Sequence, residues 1–271
     1  MSDDTRPTND RHSEKQLGAV ILAAGKGTRM NSDLPKVLHH VAGRPIVAWV
    51  IDACRAAGCH KIAVVVGFGA EHVREAVAAD DVVFSVQDKQ LGTGHATLCA
   101  QEHFKDDRGD VLVLAGDGPL IRAHTIDRMI ERHRAKQAAA TLATSVIPDP
   151  TTYGRIVRDA NGRFDAIVEE KNCTDEQKRL HEVYPSYACF DCQTLFTLLS
   201  ELQPDDVSGE YYVTNLPMRL KELGQTVELV DGVPPEDVLS INTPEHLAEV
   251  DAILRNRLST QDRTPTQEIA P

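Results

Sequence analysis

Short, unbroken apolar runs recur through the first half of this chain, each followed by a polar turn and a stretch with helical spacing. Ala19-Val20-Ile21-Leu22 and residues 61–67, 82–86 and 111–114 are the clearest runs. A strand that is apolar at every position is one buried on both faces. Between the first two, Ile46, Val47, Trp49, Val50, Ala53 and Cys54 fall at helical spacing, with Pro45 near the start and Gly58 after the end. Residues 71–79, 93–104 and 126–137 give further expected helices, and 139–145 another strand. This alternation predicts an α/β fold on a doubly wound, mostly parallel, Rossmann-like sheet.

From residue 151 the pattern changes. Short runs at 154–158, 164–169 and 186–190 are separated by turn residues, and Asn161-Gly162 lies between the first two. Asn-Gly between alternating runs is a hairpin signal, so a smaller antiparallel lobe is expected here. Helices are expected at 192–202 and 212–223. A closing helix begins with Thr243 as N-cap and Pro244 at its first position, and buries Leu247, Val250, Ile253 and Leu254. The expected organisation is one domain over 16–258, divided into a first half at 16–147 and a second half with the closing helix at 148–258. The polar segments 1–15 and 259–271 are expected to be disordered tails.

A chain of 271 residues can bury a substantial core, as one large domain or two small ones. Its net charge of −12 argues against non-specific binding to nucleic acid or anionic membrane, so no nucleic-acid or membrane partner is expected. No apolar h-region follows Met1, and no run approaches a membrane span, so a cytoplasmic location is expected. The six cysteines then read as reduced thiols. Cys189 and Cys192 make a single C-x-x-C without a second pair to complete a zinc site, and burial as small apolar side chains is the simpler reading.

The segment after the first strand carries the chemistry. In Gly25-Lys26-Gly27-Thr28-Arg29, glycines two apart allow positive φ and close backbone approach, and successive amides can face phosphate oxygens. Thr28 adds a donor, while Lys26, Arg29 and Lys36 add charge. The arrangement is neither a P-loop, which needs a glycine where Val20 stands, nor a dinucleotide fingerprint, which needs one at Met30. On spacing alone a plain strand-to-helix turn remains open. Ligands of open parallel sheets bind beyond the carboxyl ends of the strands. The loop shares that placement with 87–93, with Gly116-Asp117 and with Asn242. Gln87 can pair with an imide such as the uracil edge, and Gly92 lets a backbone amide reach the same base. Asp117 suits Mg²⁺, which takes one or two protein oxygens beside phosphate and water.

Leu22-Ala23-Ala24-Gly25-Lys26-Gly27-Thr28-Arg29-Met30, followed by Leu34-Pro35-Lys36-Val37-Leu38-His39, resembles the signature of sugar-1-phosphate nucleotidyltransferases. More narrowly, it is similar to the uridylyltransferase domain of bacterial bifunctional N-acetylglucosamine-1-phosphate uridyltransferases, over about residues 17–257. The resemblance implies a GT-A-like nucleotidyltransferase fold. It implies UTP and a sugar 1-phosphate as substrates, with Mg²⁺ held by Asp117 and Asn242. It assigns Arg29 and Lys36 to catalysis. It assigns Leu22, Ala23, Ala24, Gly25, Lys26, Gly27, Thr28, Gln87, Gly92 and Thr93 to the nucleotide, and Gly154, Glu169 and Lys171 to the sugar.

Bifunctional members carry an acetyltransferase domain of hexapeptide repeats. No such period occurs here, so that activity and its trimer are expected to be absent, leaving a monomer or weak homo-oligomer. The chain also departs from the family on the sugar side. Tyr184 stands where the family has a sugar-contacting asparagine, Ser186 where it has glycine, Ala115 where it has tyrosine, and Gly118 where it has an apolar residue. The expected product is a UDP-sugar, first UDP-N-acetylglucosamine, which serves nucleotide-sugar and cell-wall precursor synthesis. Another sugar 1-phosphate or dTTP is an alternative within the class. A non-catalytic nucleotide-sugar sensor is an alternative from another class.

Overall fold

Seven strands form the central sheet, in the order β13-β7-β12-β6-β1-β4-β5. The computed structural model describes residues 15–206 and 208–261. The expected tails at 1–15 and 259–271 fall outside these residues except for Lys15 and 259–261, and the last three belong to the closing helix. In chain order the strands are β1 (Leu17–Ala23), β2 (His40–Val41), β3 (Arg44–Pro45), β4 (Lys61–Val66), β5 (Val82–Val86), β6 (Asp110–Ala115) and β7 (Ala140–Ala143). They continue as β8 (Ser145–Val146), β9 (Gly154–Arg158), β10 (Phe164–Val168), β11 (Glu182–Tyr184), β12 (Tyr187–Asp191) and β13 (Val227–Val230). The helices are α1 (Ile46–Ala56), α2 (Ala70–Val77), α3 (Thr93–Leu98), α4 (Gln101–Phe104), α5 (Ala123–Ala135), α6 (Cys192–Glu201), α7 (Leu216–Glu222) and α8 (Pro244–Gln261). No helix among the described residues is long and apolar enough to cross a membrane.

β1 lies inside the sheet next to its middle strand, parallel to β4 on one side and β6 on the other, and β4 continues parallel to β5. Its alternate residues feed two cores. Ala19 and Ile21 enter one with α1 and α5, while Val20 enters the other with α3 and α6. Burial on both faces is the reason the run has no polar position. The strand order reverses at β1, because the chain first moves to β4 and β5 and then returns to β6. The loops after β1 and β6 therefore flank a crevice, the usual ligand position in open α/β sheets.

The second half of the chain does not form a separate layer. The small antiparallel sheet, β10-β9-β11-β8, contains the expected Asn161-Gly162 hairpin, with Gly162 at φ 76°. The run at 186–190, however, is not part of it. β12 lies in the central sheet, antiparallel to both β6 and β7. Tyr187 and Cys189 enter one core, Ala188 and Phe190 the other, so this strand needs cover on both faces. β13, which the sequence reading missed because Glu228 interrupts the run, extends the sheet parallel to β7. The helix expected at 93–104 is two short ones, since the Ala100 amide bonds back three residues to Thr97 and tightens the turn. Cys189 and Cys192 sit in different cores, so the C-x-x-C pair does not converge on one site.

α8 closes the molecule. Thr243 caps it through its hydroxyl, 3.3 Å from the His246 amide. Val250 and Leu254 pack with Met30, Val41, Ile46, Leu120 and Ile241 in a third, smaller core. The start of α8 is thereby pinned beside the loop after β1.

Candidate active site

A cleft of about 390 Å³ opens at the carboxyl ends of β1, β5 and β6. Leu22, Ala23, Ala24 and Gly25 line it from β1, and Gln87, Gly92 and Thr93 from the loop after β5. Gly154, Glu169 and Tyr184 line it from the small sheet, and Lys36, Asp117 and Asn242 complete the wall. The remaining expected residues (Lys26, Gly27, Thr28, Arg29 and Lys171) are not among those that line it.

Lys36 is the hub of the charged end. Its ammonium pairs with the Asp117 carboxylate and lies 3.1 Å from Asn242 Oδ1. Arg29 Nη2 donates to the same Asn242 oxygen at 3.0 Å. Asn242 is held there by the backbone, because the Ile241 amide donates to the Asp117 carbonyl at 2.9 Å. Asp117 and Asn242, 125 positions apart in the chain, thus meet through one main-chain bond. Two hard oxygen donors already share a cation, the Lys36 ammonium. That donor chemistry fits Mg²⁺, which completes its shell with phosphate oxygens and water.

The loop that delivers Arg29 and Lys36 depends on Gly27. Its φ is +65°, and a Cβ there would lie 2.6 Å from Lys36 Cβ. Gly25 differs from expectation, since it is not among the positive-φ residues. Its Cβ would meet nothing within 4 Å, so glycine leaves open space on the cleft wall instead of shaping the turn. Thr28 and Arg29 form a 3₁₀ turn anchored by buried Met30. Lys26 turns aside, its ammonium 5.2 Å from the Phe68 ring centre.

On the base side, Gln87 is buried, with Nε2 3.0 Å from both the Gly92 carbonyl and His95 Nδ1. Its Oε1 has no partner among the described residues. Gln90, which the sequence reading left unassigned, lines the same cleft and donates to the Ala24 carbonyl at 2.8 Å. A second glutamine in one polar loop was the available signal.

On the opposite wall, Glu169 accepts the Thr214 hydroxyl at 2.8 Å. Glu210, Tyr212 and Thr214 all line the cleft, and none was singled out from sequence. Polar side chains at every second position of 210–214 were the overlooked signal. Lys171 points to Tyr212, donating to its hydroxyl at 2.6 Å, and this bond raises the lysine pKa. Tyr184 is 4% exposed, and its hydroxyl has no partner among the described residues. Burial, and then the charge of Glu169, push its pKa up, so the phenol stays neutral.

The departures from the family pattern have structural counterparts. Ser186 keeps φ +63°, the left-handed conformation that glycine adopts without cost, and its carbonyl accepts the Ala115 amide at 3.1 Å. At Gly118 a Cβ would stand 2.3 Å from the Tyr187 hydroxyl, which donates to the Gly118 and Asp237 carbonyls at 3.3 Å. The larger Tyr187 takes the volume left by the smaller neighbour.

A doubly wound sheet with a cation-rich, glycine-bearing crevice at its switch point defines a protein of the nucleotidyltransferase fold class. The chain belongs to the MobA-like NTP transferase domain family, whose model matches residues 19–181. It is 42% identical over 241 residues to the bifunctional protein GlmU of Clostridium botulinum (strain Loch Maree / Type A3), which covers 89% of this chain and 52% of that protein. It is 44% identical to the bifunctional protein GlmU of Clostridium novyi (strain NT), covering 89% and 53%. The chain therefore spans about half the length of these relatives. Among solved structures, one from Bacillus anthracis described as a glucose-1-phosphate thymidylyltransferase in complex with a sucrose superposes with a TM-score of 0.74. It covers 89% of this chain and 96% of that one, and at 18% identity it shows the shared fold.

Proposed function

We propose that the chain transfers a uridylyl group from UTP to a sugar 1-phosphate and releases pyrophosphate, with N-acetylglucosamine 1-phosphate as the first acceptor to test. The observation that carries this reading is the meeting of Arg29, Lys36, Asp117 and Asn242 at one end of a cleft whose two sides differ in chemistry. One side offers an amide edge and open backbone, suited to a base. The other offers a carboxylate and hydroxyls, suited to sugar hydroxyls.

In this reading Gln87, Gly92 and Thr93 receive the base, and 22–28 the ribose and triphosphate. Gly154, Glu169 and Tyr184 receive the sugar, and Lys171 stands behind them near its phosphate. The acceptor is a phosphate monoester with a second pKa near about 6, so it is mostly dianionic at neutral pH and needs no general base. One of its oxygens bonds to the α-phosphorus, the bond to the β-phosphate oxygen breaks, and pyrophosphate leaves with the electron pair. The chain's work is in-line positioning and neutralisation of charge. Lys36 gives up Asp117 for phosphate as substrate enters, and Arg29 flanks the same charge. Mg²⁺ held by Asp117 and Asn242 supplies further neutralisation of the phosphates when bound.

The test is pyrophosphate release by the purified protein with UTP or dTTP against a panel of sugar 1-phosphates. Release with UTP and N-acetylglucosamine 1-phosphate above all other pairs is the expected result, and no release from any pair overturns the proposal. A second acceptor is favoured by one observation, the phenol of Tyr184 in the sugar wall, and the same panel resolves it. A cytosolic setting and a monomeric or weakly associating state belong to the same proposal. Size-exclusion chromatography with light scattering checks the latter.

A further inference from the structure

The two sides of the cleft are tied together by one stretch of backbone. Residues 210–214 cross from the base-side loop to the sugar side, and their alternate positions do different work. Positions 211 and 213 engage the base-side loop. The Tyr211 amide donates to the Leu91 carbonyl at 2.8 Å, and the Gly94 amide to the Tyr211 carbonyl at 2.7 Å. Gly92 has φ +97°, and a Cβ there would lie 2.6 Å from the Tyr211 oxygen. The Val213 amide donates to Thr93 Oγ1 at 3.1 Å. Positions 212 and 214 engage the sugar side, through Tyr212 to Lys171 at 2.6 Å and Thr214 to Glu169 at 2.8 Å.

We propose that Thr93 is a positioning residue for the acceptor, acting through the 210–214 strap, so that nucleotide on the base-side loop organises the wall that receives the sugar phosphate. The inference rests on the transferase reading above and adds a direction to it. Thr93 accepts a main-chain proton from the strap while its own hydroxyl proton has no acceptor among the described residues. One side chain can therefore hold the strap and meet a nucleotide at once. Ordering the strap with the first ligand lowers the entropy cost of binding the second. The coupling is reciprocal, so sugar phosphate tightens nucleotide to the same extent.

Three variants separate this from a general structural role. Thr93→Val removes the acceptor at similar volume, and Thr93→Ser restores it. Val213→Pro removes only the donor, leaving the Thr93 hydroxyl for a nucleotide. Proline is compatible there because Tyr212 has φ −99° and ψ 126°, the extended conformation a pre-proline residue takes, and Val213 opens a 3₁₀ turn. In hydrogen–deuterium exchange of the protein alone, amides over 210–214 exchange about three- to tenfold faster in Thr93→Val, the scale of one neutral hydrogen bond, and Thr93→Ser returns them to wild type. UTP slows exchange over 210–214 in the wild type. With UTP saturating, Val213→Pro raises the KM for sugar 1-phosphate about three- to tenfold, while the Kd for UTP alone, by calorimetry, stays within about twofold of wild type. Unchanged exchange in Thr93→Val, exchange indifferent to UTP, or a weakening of UTP binding in the absence of sugar phosphate as large as the rise in the sugar-phosphate KM overturns the inference. A wild type that releases no pyrophosphate defeats the transferase reading instead, and the exchange results then decide the strap by themselves.

Discussion

Lys36 and Asp117, 81 positions apart, form an ion pair at the charged end of the cleft, with Asn242 as a third member. Both charged side chains are mostly buried, at 14% and 17% exposure. In the proposed reading this lysine and a divalent cation exchange on the same oxygens. Dialysis against EDTA is expected to abolish pyrophosphate release, and added Mg²⁺ to restore it. Asp117→Asn is expected to lower turnover by about 10²–10³, the scale for one preorganised electrostatic contact. Full activity without any divalent cation removes the metal from the mechanism.

Arg29 reaches the same asparagine oxygen from a 3₁₀ turn beside the glycine loop. Arg29→Ala is expected to reduce kcat by about 10²–10³ with little change in stability, since the guanidinium is exposed and, in the proposed reading, meets substrate charge. Stopped-flow or coupled pyrophosphate assays read this directly. Turnover within about threefold of wild type places Arg29 outside the reaction.

The strands of the central sheet within residues 17–145 and the glycine loop after β1 were legible because their signals are local. Buried strands lack polar positions, and Gly25-Lys26-Gly27 stands directly after one. What escaped was non-local. β12 looked like a lobe strand because it follows a run of short antiparallel elements, and only its neighbours β6 and β7 explain its burial on both faces. The pairing of Asn242 with Asp117 was expected from the family resemblance alone, because it depends on one backbone bond from Ile241 that no spacing rule encodes. Residues 212–215 were read as the start of a helix, yet the backbone is extended at Tyr212 and makes only a 3₁₀ turn at Val213–Asn215 before α7 begins at Leu216.

Gly27 tests whether the loop positions its cations by backbone shape. Positive φ and a 2.6 Å approach to Lys36 Cβ both oppose a side chain there. Gly27→Ala is expected to cost about 1–2 kcal/mol of stability and to lower activity by more than that loss explains, because Lys36 must shift. A variant as active as wild type, by urea unfolding and pyrophosphate release together, shows that the lysine adapts.

In the proposed reading, acceptor choice turns on Tyr184. Its ring is buried in the sugar wall, and its hydroxyl has no partner among the described residues. Tyr184→Asn is expected to change the ratio of kcat/KM between two sugar 1-phosphates by about 10–200-fold, the range that small pocket changes give. Tyr184→Phe isolates the hydroxyl from the ring. Ratios that stay fixed across the panel in both variants move the specificity determinant elsewhere.

Away from the cleft, Asp110 gives the fold a defined acid limit. Its side chain is fully buried at the start of β6, with Arg134 Nε at 2.8 Å, His133 Nε2 at 3.5 Å and Lys15 Nζ at 3.6 Å. Burial alone would raise its pKa, but the adjacent His133 and the Arg134 hydrogen bond outweigh it and hold the carboxyl below its ordinary value. A carboxyl that is more acidic folded than unfolded stabilises the fold fully above the unfolded value of about 3.9 and loses that contribution as pH falls through the folded value. Asp110→Asn is therefore expected to cost about 1.5–3 kcal/mol near neutral pH, the scale of hydrogen bonds to a charged group. The gap between wild type and variant should narrow progressively below about pH 4. Urea unfolding of both proteins across that range measures the gap, and a difference that stays constant down to the lowest accessible pH shows that the carboxylate charge contributes nothing.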